Sequence, residues 1–256
     1  MKRSDWRRRR FLARVFGVVG AGALAGCDAL SQTKWFPAVL GKADALSEGA
    51  AKIVGRKSMA QEFAPADRSP TFRSNGTSDP GTEDYQMLQS DGFAGYRLAI
   101  DGLVEAPRSW TLAELRAMPS REQITRHDCV EGWSAIAQWK GARLASLLAA
   151  VRPHPQARYA VFHCADPMSD DGKDLYYESI DLDDAYHEQT ILAYDLNGEA
   201  LPVKNGAPLR LRVERQLGYK HAKYVMRVEL VDSFARIAGG RGGYWEDQGY
   251  QWYAGI

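Results

Sequence analysis

The stretch Leu209-Arg210-Leu211-Arg212-Val213-Glu214, with its sequel Tyr224-Val225-Met226-Arg227-Val228-Glu229-Leu230-Val231, decides the fold class. In the first, apolar residues alternate with charged ones. In the second, Tyr224, Met226, Val228 and Leu230 alternate with Val225, Arg227, Glu229 and Val231, so each predicts a strand with one apolar face. Upstream, Asn197-Gly198 lies between Ile191-Leu192-Ala193-Tyr194 and Ala200-Leu201 and predicts a two-residue hairpin turn, because both central positions need positive φ. Tyr159-Ala160-Val161-Phe162 reads as a buried strand, and Arg97-Leu98-Ala99-Ile100 as a strand running into a turn at Asp101-Gly102. Helices are short. Thr111-Leu112-Ala113-Glu114 has the capping-box spacing and opens a helix that Pro119 closes, while Leu144, Leu147, Leu148 and Val151 mark one face of a helix that stops before Pro153. Strands with scattered short helices and no regular βαβ alternation predict an α+β domain of mixed sheets.

The 256 residues are 45% hydrophobic and 25% charged, enough for a sizeable core, which excludes intrinsic disorder for most of the chain. Of 33 basic and 32 acidic residues, seven basic and one acidic fall in residues 1–26, leaving 26 and 31 for the rest, a charge of −5. The folded part is acidic, which argues against nucleic acid as a partner.

Residues 1–26 read as an export signal: a basic run, then an apolar stretch from Val15 to Ala25 too short to span a bilayer. Arg8-Arg9-Arg10-Phe11-Leu12 resembles the twin-arginine signature, so the twin-arginine export machinery is an expected partner. Leu24-Ala25-Gly26-Cys27 resembles a lipobox, which implies a periplasmic protein lipid-anchored at Cys27, with Asp28 favouring the inner membrane. That export route carries folded proteins and so points to a cofactor inserted before export. Residues 27–57 read as a tether, 58–238 as the functional domain and 239–256 as a tail with six glycines and five aromatics. The tail suits a latch packed on the domain better than a docking strip. Met59 to Tyr96 is rich in Ser, Pro, Gly, Asp and Thr, and an irregular segment of that length usually serves a site.

Two features carry chemistry. Cys129 lies in Arg126-His127-Asp128-Cys129-Val130-Glu131-Gly132-Trp133-Ser134, where Arg126 and His127 favour the thiolate and Glu131 opposes it; local chemistry leaves a ligand, a nucleophile and a buried inert thiol all open. Lys204 to Arg227 holds seven Lys/Arg against Glu214 alone. A solvated strand face is one reading; the other is a site for a single anionic ligand, built from Arg210 and the Gly218-Tyr219-Lys220-His221-Ala222-Lys223 turn with its two lysines and free N–H groups. A zinc or copper site from His127, Cys129, His163 and Cys164 is a third reading, although the spacing matches no zinc ribbon or finger.

Cys129-Val130-Glu131-Gly132-Trp133-Ser134 and Asn205-Gly206-Ala207-Pro208-Leu209-Arg210, together with Gly218-Tyr219-Lys220 and Lys223, resemble the sulfite-oxidase-like molybdopterin oxidoreductase family over about Phe72 to Asp232, most closely its periplasmic methionine sulfoxide reductase branch. The resemblance implies a sulfite-oxidase-type fold and one molybdenum–molybdopterin per chain. It gives Cys129 as the metal's thiolate ligand and catalytic residue. Asn205, Arg210, His221, Ala222 and Lys223 would hold the pterin and its phosphate, with His127 beside them, Asn75, Ser78 and Asp79 as an N-terminal contact segment, and Cys164 as either a cofactor contact or buried filler. It further implies oxygen-atom transfer on a small-molecule substrate by a monomer, with electrons exchanged with a membrane haem protein or cytochrome. The chain departs from sulfite oxidases in carrying Trp133 and Ser134 where they place arginines, and in ending about 25 residues after its last strand. From the reductases it departs at Asp128, usually arginine, at Ser78-Asp79, usually an aromatic–acid pair, at Cys164, where they carry threonine, and in its aromatic tail. The rival functions are a cysteine hydrolase using Cys129 with His127 or His163, and a non-catalytic anion-binding lipoprotein.

Overall fold

The computed structural model describes residues 58–256, together with residues 33, 35, 36 and 49. The chain divides into two compact units, Met1–Gly55 and Arg56–Ile256. The export signal, the lipobox and nearly all of the tether lie outside the described residues. No helix among the described residues is long and apolar enough to cross a membrane.

The second unit is built on two five-stranded sheets. The first contains β1 (Arg97–Gly102), β2 (Arg108–Thr111), β5 (Tyr159–Pro167), β6 (Leu175–Asp181) and β10 (Val225–Val231), in the order β2-β1-β10-β5-β6. Only β1 and β10 run parallel. The second sheet has the order β3 (Ser120–Cys129), β4 (Trp133–Arg143), β7 (Ile191–Leu196), β8 (Glu199–Ala200), with β9 (Arg210–Arg212) paired to β7. The helices are α1 (Glu83–Ser90), α2 (Leu112–Ala117), α3 (Leu144–Val151), α4 (Leu182–Ala185) and α5 (Tyr244–Asp247). The expected α+β class and mixed sheets are observed.

Local chemistry explains the predicted elements. Thr111 Oγ1 accepts from Glu114 N–H at 3.0 Å and Glu114 Oε2 from Thr111 N–H at 2.8 Å, the reciprocal box that starts α2. In α3, Leu144, Leu147, Leu148 and Val151 are all fully buried, each worth roughly 1.5–3 kcal/mol of transfer free energy. Asn197 and Gly198 have φ of 55° and 87°, and Leu196 pairs with Glu199 across them, as the hairpin requires. One core draws on both sheets: Leu98, Ile100, Phe162, Val228 and Leu230 from the first, Leu192, Tyr194 and Leu211 from the second, with α3 against them. Ile191 and Ala193 point to the other face of the second sheet, where Trp139, Leu196, Leu201 and Phe72 form a smaller cluster.

Three expectations change. The strand at 209–214 is reduced to β9, and its charged residues are not solvated: Arg210 and Arg212 are fully buried. A bulge between Val225 and Arg227 breaks the alternation of the last strand, so Tyr224 and Val225 are both buried while Met226 is half-buried. The segment before Tyr96, read as irregular, contains α1, capped by Thr82 Oγ1, which accepts from Tyr85 N–H at 3.4 Å.

Candidate active site

Cys129 ends a long hairpin. β3 and β4 pair without a break from Ser120↔Ala142 to Cys129↔Trp133, joined by Val130-Glu131-Gly132 with Gly132 at φ 85°. Period-two geometry turns Gln123, Thr125, His127 and Cys129 to the same, buried face. Cys129 lines a partly open cleft whose walls come from six separate parts of the chain: Asn75–Thr77, Cys129–Glu131, Asp166 and Met168, Tyr176, the Gly218-to-Lys223 turn through Gly218, Tyr219, His221 and Lys223, and the tail residues Trp245 and Tyr250. Burial pushes the Cys129 thiol above its ordinary value, and the Glu131 carboxylate adds to this against the Glu131 N–H, Arg210 and Arg73. The expected lowering by Arg126 and His127 is absent. Arg126 Nε is held by Asp128 Oδ2 at 2.9 Å, and His127 is buried in its neutral form.

The basic cluster sorts itself. Arg212 pairs with Glu214 where both are fully buried, Arg215 with Asp184, and Arg227 with Asp101 and Glu229. Lys220 is not available to a ligand: it is fully buried between Glu178 and Glu246, at 2.5 Å from each. Arg210 and Lys223 are different. Arg210 donates to Asn205 O and Asn75 Oδ1, both at 3.2 Å, and Lys223 Nζ to the carbonyls of Asn75 (2.8 Å), Lys204 (2.9 Å) and Thr77. Neither is paired with a carboxylate among the described residues. Burial, and then a neighbouring arginine, lowers Arg210 to about 9 and Lys223 to about 7. Two adjacent buried cations short of negative charge form a site for an anion.

Buried polar atoms without partners collect at the same place: Arg210 Nε, Asn205 Nδ2, His127 Nε2, His221 Nδ1 and Asp166 Oδ1. The two histidines are complementary. His127 Nδ1 lies 2.9 Å from Arg212 Nη1, which can only donate, so the ring proton is assigned to Nε2. His221 Nε2 lies 3.0 Å from the Gln216 carbonyl, which can only accept, so its proton is on Nε2 and Nδ1 keeps a lone pair. Both are neutral, chiefly through burial. Gly218 lets His127 approach, since a Cβ there would stand 2.7 Å from the ring. The unsatisfied set therefore offers N–H donors, two acceptors, two cations and a thiol, which fits a group with a phosphate, a hydrogen-bonding heteroaromatic edge and a soft metal.

Of the expected site residues, Asn75, Cys129, His221 and Lys223 line the cleft, with His127, Asn205 and Arg210 directly behind them. Four are not brought in. Ser78 and Asp79 are exposed, and Asp79 Oδ1 instead accepts from Gly81 N–H, while Gly76 and Thr77 take the wall. Ala222 points into the core and its carbonyl accepts from Leu211 N–H. Cys164 shares its strand face with Ala160 and Phe162 and is core filler. Asp166, two residues on and on that same face, is the cleft residue that was missed; burial pushes it up to about 6. His163 lies with Glu229 and Arg227, so the zinc or copper quartet is not assembled, and no group of three or more metal-ligating side chains exists among the described residues. The hydrolase reading lacks its base. No hydrogen bond joins Cys129 to a histidine among the described residues, and its thiol is shifted away from thiolate.

A family model described as an oxidoreductase molybdopterin binding domain matches residues 86–236. The protein-methionine-sulfoxide reductase subunit named YedZ1 of Azospira oryzae is 43% identical over 162 residues, 63% of this chain and 56% of that one. The protein-methionine-sulfoxide reductase catalytic subunits MsrP of Ralstonia nicotianae and Burkholderia mallei are 38% identical over 145 residues (54% of this chain, 44% of that one) and 30% identical over 244 residues (90% and 71%). The chain thus spans about half the length of the first two relatives. The solved structure of the sulfane dehydrogenase SoxCD from Paracoccus pantotrophus shares the fold, with a TM-score of 0.50 and 22% identity over 70% of this chain and 46% of that one. On these matches and the thiol, cation and histidine arrangement that meets them, the chain belongs to the sulfite-oxidase-like molybdopterin-binding oxidoreductases, close to the methionine sulfoxide reductase catalytic subunits, and its cofactor is molybdenum–molybdopterin.

Proposed function

We propose that this protein is a periplasmic oxidoreductase that removes the oxygen atom from a small sulfoxide-type substrate, drawing electrons from a membrane haem protein. The twin-arginine machinery would export it folded, Cys27 would anchor it to the inner membrane, and it would act as a monomer. The observation that carries the reading is the joining of the Cys129 thiol and Lys223 in one cleft with Arg210 behind it, two buried cations that have no carboxylate partner among the described residues.

In that reading Cys129 is the protein's ligand to molybdenum, Arg210 and Lys223 neutralise the phosphate, and Asn205, His127 and His221 hold the pterin with their unsatisfied atoms. The bound cofactor supplies two-electron oxygen-atom transfer chemistry. A sulfoxide, two electrons and two protons give a thioether and water, so the cleft must also supply protons. Asp166, with its partnerless Oδ1 and a carboxyl pushed up to about 6, keeps a proton at mildly acid pH and exchanges it close to neutrality.

The test is elemental analysis and paramagnetic resonance of full-length protein from a molybdate-fed host with its export machinery intact, beside Cys129→Ala. Molybdenum, a paramagnetic signal on partial reduction and sulfoxide-dependent oxidation of a reduced viologen are expected for the natural chain. The variant should lose the activity and alter the signal. Protein that holds neither metal nor signal overturns the proposal.

A further inference from the structure

The tail beyond residue 236 lies outside the matched family domain, and two kinds of tail residue do different work. One kind fastens it. Glu246 is buried on Lys220, Trp252 Nε1 donates to Ser179 Oγ at 2.8 Å, and the Ala254 carbonyl and Ile256 N–H bond to Leu217 and Arg215. The other kind faces the cleft. Trp245 and Tyr250 stand with ring centroids 5.4 Å apart and planes at 31°, and Tyr250 meets Tyr219 edge-on at 5.3 Å. Trp245 is half-buried and Tyr250 is 42% exposed, although both line the cleft that holds Cys129. Trp245 packs in part on the core and Tyr250 is exposed, yet both still give surface to the cleft, while Glu246, Trp252 and the last backbone groups fasten the tail.

We propose that the tail is the substrate-selecting wall of the cleft: Trp245, Tyr250 and Tyr219, with Met168, form an apolar aromatic face that takes the flat or apolar substituent of a neutral sulfoxide whose sulfur end lies on the Cys129 side. The inference rests on the oxygen-transfer reading for its substrate class. The face suits such a group because aromatic rings bind flat apolar surface with edge and offset geometries, and because Lys223 in the cleft and Arg210 behind it are reserved for the cofactor anion. Among the described residues this wall carries no cation to draw an anionic substrate.

The experiment uses the molybdenum-loaded full chain and its Trp245→Ala, Trp245→Leu and Tyr250→Ala variants. Binding of methyl p-tolyl sulfone, a probe with no sulfoxide oxygen to transfer, is measured by calorimetry, and turnover of methyl p-tolyl sulfoxide and dimethyl sulfoxide by viologen oxidation. Each alanine variant should weaken sulfone binding by about 3- to 10-fold and raise the KM of the aryl sulfoxide by a similar factor. The kcat, the metal content and the kinetics with dimethyl sulfoxide should stay within about twofold, and Trp245→Leu should recover part of the loss by refilling volume without a ring. Equal losses on both sulfoxides, or none on the aryl probes, overturn the wall. If the natural chain binds the sulfone and the variants lose it while neither sulfoxide is reduced, the wall stands and the oxygen-transfer reading falls.

Discussion

Replacing Lys223 by methionine separates a structural clip from a phosphate ligand. The ammonium donates to three carbonyls, those of Asn75, Thr77 and Lys204, and so ties the Asn75–Thr77 wall to the body. Against this, burial and Arg210 bring it from a lysine's ordinary 10.5 to about 7, which corresponds to ~5 kcal/mol against the charged form. Three hydrogen bonds at ~1.5 kcal/mol each nearly offset that cost, so in cofactor-free protein Lys223→Met should change stability by no more than about 2 kcal/mol. With the phosphate bound, the lost charged hydrogen bond is worth ~1.5–3 kcal/mol, or roughly 10- to 150-fold in cofactor retention. The pH dependence follows in sign. Because the folded value is depressed, the stability linked to Lys223 is present above 10.5 and lost as pH falls through about 7. Cofactor-free natural protein should therefore gain on the variant between pH 7 and pH 9. Thermal melts of both proteins, loaded and cofactor-free, at pH 6 and pH 9 read all of this. An equal drop in Tm with and without cofactor, or parallel pH profiles, would show that Lys223 is only the clip.

Further outcomes follow from other residues. The kcat of the natural protein should fall as pH rises through about 6 and Asp166→Asn should abolish that inflection; in cofactor-free protein, where the raised carboxyl contributes stability below 3.8 and loses it as pH rises through about 6, the variant should be the more stable above pH 6 in denaturant melts. An unchanged kinetic inflection removes Asp166 from proton supply. Lys220→Met leaves Glu178 and Glu246 buried together without a cation and should cost ~3–5 kcal/mol in urea unfolding, with Lys220→Met/Glu178→Gln/Glu246→Gln recovering most of it. Gly141→Ala would put a Cβ 2.2 Å from the Leu192 carbonyl oxygen, backbone that cannot step aside, and should lower stability by at least about 1–3 kcal/mol; an unshifted melt contradicts the β4–β7 contact.

What the sequence showed and hid has physical causes. Elements with local signatures were legible: the Thr111–Glu114 box, the Leu144–Val151 face and the Asn197-Gly198 turn each rest on a few adjacent residues. The β3–β4 hairpin was not, because its inward face carries Gln123, Thr125 and His127, and apolar alternation cannot find a strand whose buried side is polar. The helix α1 went unseen since Tyr85 is its one buried residue. In the candidate site, residue types and family motifs pointed to Cys129, Asn205, Arg210 and Lys223, which the fold brings close together, yet charge counting could not tell Lys220 from Lys223. The difference lies in Glu178 and Glu246, 42 and 26 residues away along the chain. Asp166 was hidden for the opposite reason: it lies two residues from Cys164 on the same strand face, and only its place nearer the end of β5 puts it in the cleft instead of the core.

Glu214 never reaches the cleft wall, yet it governs what the cleft can read. By fastening Arg212 through both carboxylate oxygens it aims a guanidinium N–H at His127, and that places a hydrogen on the far side of the ring. The Gln216 carbonyl leaves its neighbour His221 with the opposite polarity. The cleft wall thus holds an acceptor at His221 with a donor at His127 behind it, an order written from outside by a carboxylate and a peptide oxygen. A ligand's edge is matched by groups it never meets, and a neutral replacement at residue 214 would scramble that match while leaving every lining side chain in place.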